Sequence, residues 1–69
     1  MGTVSVSVNG ALREVAAGTT VAALVHELGA GPRGVAVAID RVVVPRSAWG
    51  EVVVEEGAHV EIVAAAAGG

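Results

Sequence analysis

At 69 residues and a formal net charge of −3, the chain is long enough for one domain with a small core, since a domain of this size hides only roughly 60% of the surface its unfolded form exposes. With no cysteine it makes no disulfide and supplies no thiol nucleophile, and four arginines with no lysine on an acidic chain argue against a nucleic-acid surface. No apolar run approaches the roughly 20 residues that span a bilayer, and neither a basic leader nor a myristoylation pattern opens the chain, so a soluble cytoplasmic protein with no nucleic-acid and no membrane partner is expected.

Val4, Val6 and Val8 alternate with Ser5 and Ser7, which predicts a strand with valines on one face and serines on the other. Asn9-Gly10 follows, a strong hairpin signal because both residues tolerate the positive φ of a type I′ turn. Leu12 to Ala16 returns as a second strand. After Ala17-Gly18, Thr19 or Thr20 can cap a helix, although neither has a glutamate three residues later to complete a capping box. Val21, Leu24, Val25 and Leu28 then mark one helical face, and Gly29 supplies a left-handed stop. Gly29 to Gly34 matches G-x-G-x-x-G, but a dinucleotide fingerprint follows a strand and opens a helix. Here the order is reversed, and the segment reads as a helix-to-strand connection.

Val35, Val37 and Ile39 alternate with Ala36 and Ala38 as a third strand whose second face is small and apolar. Asp40-Arg41 turns the chain into a short strand, Val42 to Val44, which Pro45 ends by removing a ladder N–H. Arg46 to Gly50 is too short for a regular helix and predicts a single turn pinned by Trp49. Val52 to Val54 reads as extended or as a short edge piece, and Glu55-Glu56-Gly57 as a turn with solvated charges. Val60 and Ile62 alternate with His59, Glu61 and Val63 in a last strand that leads into Ala64 to Ala67, Gly68 and Gly69. The order strand, strand, helix, strand, short strand, strand is that of a β-grasp. The fold class is therefore α+β, with a mixed four- to five-stranded sheet packed on one helix and its first and last strands parallel at the centre. Residues 1–63 form the domain and 64–69 a flexible tail.

Glycines lose the most backbone freedom on ordering and alanines bury little, so such a tail adds almost nothing to a core. Its use is to be thin: Ala67, Gly68 and Gly69 fit a partner's narrow channel, which brings the Gly69 carboxylate to a reactive centre. His26 and His59 are far apart and lack metal-ligand spacing, so no metal is expected. No nucleophile elbow frames Ser47 as part of a hydrolase triad. Two uses stay open for Trp49, a core plug and, with Arg46, a partner contact. Ala36, Ala38 and Val63 are expected to face away from the helix as an uncharged docking patch, with a compositional preference for small residues as the alternative.

The chain resembles the ThiS family, the ubiquitin-like β-grasp sulfur carriers of thiamin biosynthesis. The matching pieces are Val6 to Gly10, Thr20-Val21-Ala22 with Leu24 and Leu28-Gly29, Gly34 to Ala38, Val44 to Trp49, Glu56-Gly57, Val60 to Val63, and Gly68-Gly69. Pro45-Arg46-Ser47 with Trp49, together with the final Gly-Gly, is the specific part. Asp40-Arg41 departs from a frequent Asn-Gly, and the all-alanine tail from a more varied one. The resemblance implies a carrier, not an enzyme, with no bound cofactor. A ThiF-like adenylyltransferase using ATP and Mg²⁺ would adenylate the Gly69 carboxylate, a persulfide donor protein would convert it to a thiocarboxylate, and a ThiG-like thiazole synthase would take the sulfur. Two other readings are a molybdopterin-type carrier or ubiquitin-like protein modifier, and an interaction module whose tail has no chemistry.

Overall fold

Residues 2–29 and 34–64 are described by the computed structural model of the protein. Five strands form one sheet in the order β2-β1-β5-β3-β4, where β1 is Thr3–Val8, β2 Ala11–Ala16, β3 Val35–Ile39, β4 Val42–Val44 and β5 His59–Ala64. A single helix, α1 (Val21–Glu27), and a 3-10 turn (Arg46–Ala48) complete the regular elements. β1 and β5 are parallel, and the pairs β1/β2, β3/β4 and β3/β5 are antiparallel. The mixed sheet and its parallel centre are those the element order implies. One expected boundary moves: Ala64, the first residue of the expected tail, is the last residue of β5 and sits opposite Val35.

Both hairpin turns show why their residues were chosen. Asn9 and Gly10 have φ of 52° and 87°, and Asp40 and Arg41 have φ of 50° and 72°, the left-handed pair that a type I′ turn needs. At each turn the first residue also serves β5. The Asn9 N–H donates to the Val60 carbonyl at 2.9 Å, and the Asp40 N–H donates to the His59 carbonyl at 2.8 Å. Asp40 Oδ1 in addition accepts the His59 N–H at 3.1 Å.

The start of α1 is closed by three different partners. The Val21 N–H donates to the Val52 carbonyl and the Ala22 N–H to the Trp49 carbonyl, while Thr20 Oγ1 caps the Ala23 N–H at 3.1 Å. These are the amides that a helix cannot satisfy internally, so the missing capping box is replaced by the 49–52 segment. Val52 to Val54 is extended but outside the sheet, and it pairs with the segment that leads into α1 through an antiparallel bridge between Thr20 and Val53 and a bond from the Val54 N–H to the Thr19 carbonyl. Val54 is buried there. The Glu55-Glu56-Gly57 turn also does more than carry solvated charge: Glu56 Oε1 accepts the Ser5 N–H at 2.9 Å, and the Gly57 N–H donates to the Ser5 carbonyl at 2.7 Å.

The core lies between α1 and one face of the sheet. Val6, Val8, Val15, Val37, Val44 and Val60 face Val21, Leu24 and Val25, with Trp49, Val54 and Ala58 closing the side. Each fully buried valine contributes on the order of 1.5 kcal/mol or slightly more. No polar or charged residue is buried among the described residues.

Candidate functional site

β5 carries the chain toward its glycine end, so the site begins with how that strand is held and what its free face presents. Its even-numbered residues, Val60 and Ile62, point into the core side, and His59, Glu61 and Val63 point away from α1. Ala36 lies opposite Val63 and Ala38 opposite Glu61, with Val43 of β4 next to Ala38. The helix covers one face of the sheet only. On the other, Val63 is 60% exposed and Val43 is 69% exposed, and together with Ala36 and Ala38 they form a small apolar surface beside β5.

Ala36, Ala38 and Val63 thus sit together on the outer face. The surface is not free of charge, because Glu61 is in register with Ala38. Ser7 Oγ and His59 Nδ1 are 3.0 Å apart and tie the outer faces of β1 and β5 together. Asp40 grips the backbone of His59, not its ring, so Ser7, His59 and Asp40 do not form a charge-oriented nucleophile. Among the described residues no three His, Cys, Asp or Glu side chains gather as a metal site. Val43 and the 78% exposed Leu12 were not singled out from the sequence. Leu12 was readable, since Leu12, Glu14 and Ala16 alternate with buried Val15; Val43 was not, because Val42-Val43-Val44 has no polar residue to mark a face.

Arg46 and Trp49, in the segment after β4, resolve differently from one another. Trp49 is only 5% exposed, and its indole Nε1 donates to the Val44 carbonyl at 2.9 Å. This corrects its candidacy as a partner contact: the ring is a core plug whose one polar atom is already satisfied. Arg46 is exposed, with its guanidinium carbon 5.9 Å from the Trp49 ring centroid. That cation–π contact is worth about 0.5–1 kcal/mol at an exposed site. Ala67, Gly68 and Gly69, like the residues 30–33 of the glycine-rich connection, lie outside the described residues.

Comparison with known proteins places these features in a family context. The model of the ThiS family matches residues 6–69. A thiazole synthase of Paramagnetospirillum magneticum (strain ATCC 700264 / AMB-1) is 44% identical over 62 residues, which are 90% of this chain and 19% of that protein. The chain therefore spans about a fifth of the length of that curated relative. The crystal structure of a thiamine biosynthesis protein (ThiS) from Geobacter metallireducens superimposes with a TM-score of 0.77 at 26% identity, covering 94% of this chain and 99% of that one. Among the described residues no helix is long and apolar enough to cross a membrane.

Proposed function

The chain belongs to the ThiS family, and from that premise we propose that it carries sulfur for the thiazole part of thiamin on the carboxylate of Gly69. The observation that carries this reading is that the family match runs through Gly68 and Gly69, the two residues that contribute least to a fold and most to a thin chain end. It requires Gly69 to be the last residue of the working protein.

The chemistry follows from the weakness of a carboxylate as an electrophile. An adenylyltransferase of the ThiF type transfers AMP from ATP·Mg²⁺ to the Gly69 carboxylate and releases pyrophosphate. The outer sulfur of a persulfide on a donor protein then attacks the acyl carbon, AMP leaves, and a thiol cleaves the remaining S–S bond to yield the thiocarboxylate and a disulfide. A thiazole synthase of the ThiG type accepts that sulfur. In this scheme the chain is a carried substrate, and the catalytic groups belong to its partners. The name of the thiazole synthase relative supports that last partner. Docking of both enzymes is assigned to the face bearing Ala36, Ala38 and Val63, with Arg46 as a further contact; both remain proposals that mutagenesis decides.

Mass spectrometry of the chain after incubation with ATP, the adenylating enzyme and a persulfide donor tests the reading. Exchange of one oxygen for sulfur at Gly69 is expected. A chain that stays unmodified while a known carrier is converted in the same mixture overturns it, and so does full activity after one residue is appended to Gly69.

A further inference from the structure

We propose that Asn9 is a positioning residue for the chain end, acting through a two-point grip on the backbone of Ile62; the role rests on the carrier reading, while the grip itself does not. β1 ends at Val8 and turns away, so β5 outruns its parallel neighbour: the paired residues are Ser7 with His59 and Val8 with Val60. On this side of β5 the backbone groups of alternate residues meet β1. The Ala58 carbonyl takes the Ser7 N–H and the Val60 carbonyl takes the Asn9 N–H, each at 2.9 Å. Ile62 is next in the alternation, and β1 has no backbone left to offer it.

The Asn9 side chain fills that place. Its Oδ1 accepts the Ile62 N–H at 2.9 Å and its Nδ2 donates to the Ile62 carbonyl at 3.1 Å. A primary amide carries the same donor and acceptor as a peptide group, so the contact extends the β1/β5 ladder by one rung, and only one orientation of the amide satisfies both atoms. Asparagine also tolerates the φ of 52° that the turn imposes here. One residue therefore makes the hairpin and holds the strand that leads to Gly69. Aspartate keeps the acceptor and loses the donor; glycine keeps the turn and loses both.

On its other side β5 is paired with β3 as far as Ala64. Among the described residues, the Asn9 side chain is the last group on the β1 side to hold β5, and it does so at Ile62, seven residues before Gly69. Restraining Ile62 from both sides stiffens the last part of β5, the strand that leads to the chain end, so a partner docked on the sheet face meets the carboxylate in a smaller volume. Such orientation raises the rate of the chemical step more than it alters docking.

Asn9→Gly in the full chain tests both parts. Hydrogen exchange at the Ile62 amide is expected to become about fivefold faster, the factor one hydrogen bond of ordinary net strength supplies, with the Leu24 amide of α1 unchanged. In ATP–pyrophosphate exchange with the adenylating enzyme, kcat is expected to fall about fivefold with KM within about twofold, the pattern of a lost orientation and not of lost binding. Unchanged exchange at Ile62 overturns the grip, and faster exchange with native kcat overturns the positioning role. If Asn9→Gly does not fold, Asn9→Asp separates the same two parts: Ile62 exchange near native with a reduced kcat supports the grip and the positioning role, exchange as fast as in an unprotected amide overturns the Oδ1 contact, and native kcat overturns the positioning role. A native chain that the enzyme never adenylates removes the carrier reading and the positioning role with it, while the exchange measurement still decides the grip.

Discussion

Trp49 joins packing to a buried hydrogen bond, and this makes it the most sensitive side chain of the core. Replacing it with alanine removes the only large ring and leaves the Val44 carbonyl without its indole donor. Large-to-small changes of this kind cost about 3–5 kcal/mol, against a total stability of roughly 3–10 kcal/mol for a domain this size. Urea titration of Trp49→Ala is expected to find it largely unfolded at room temperature. Trp49→Phe keeps an aromatic ring but removes the indole N–H and part of the buried volume, an expected loss of about 1–3 kcal/mol by the same measurement. A lone tryptophan in a five-residue connection has no periodicity to assign it to core or surface, which is why the sequence left both uses open. The distance from the indole nitrogen to the Val44 carbonyl settles it.

Among the elements, the β3/β4 hairpin and the outer face of the sheet carry the clearest consequences. Asp40 and Arg41 hold positive φ without being glycine, and Asp40 is compensated by its bond to the His59 N–H. Arg41 has no such role in the turn. Arg41→Gly is therefore expected to raise the unfolding free energy by about 0.5–1 kcal/mol in denaturant titration, the usual cost of a left-handed non-glycine residue less the extra freedom of glycine when unfolded. On the outer face, Ala38→Glu sets a second carboxylate opposite Glu61. Like charges in directly opposed strand positions cost about 0.2–1 kcal/mol, so the fold survives and the apolar surface acquires charge. Weaker binding of both the adenylating enzyme and the thiazole synthase, read by titration calorimetry, is the expected result; native affinity for both would remove the face from the docking proposal.

For the whole molecule, the described residues already contain the core, the closed helix start and the full β5 ladder. A chain ending at Ala64 is therefore expected to unfold at the same denaturant midpoint as the native protein, within the measurement error of about 0.3 kcal/mol taken for independent sites, while losing all adenylation. A drop in midpoint would mean that residues 65–69 belong to the fold. This separation follows from composition as much as from structure: alanines and glycines remove little apolar surface from water, so a domain built of valines gains little by enclosing them.

Local signals were sufficient for the elements because each is written within a few residues. The valine alternation of β1, the Asn9-Gly10 turn, the spacing of Val21, Leu24, Val25 and Leu28, and the stop at Gly29 all act over one turn or one strand, where side-chain period and backbone sterics decide. The order of these elements then points to a β-grasp, with one apolar helix face covered by the sheet and the first and last strands side by side at its centre. Tertiary structure alone decided the rest. Glu56 bound to Ser5, the 49–52 segment closing the start of α1, and Asn9 holding Ile62 each join residues distant in the chain, and Trp49 is placed by the core that those distant elements enclose. Such contacts have no period to read: they depend on which polar groups chain folding happens to leave facing one another, and a buried or strand-end N–H or C=O takes the nearest partner that the completed fold provides.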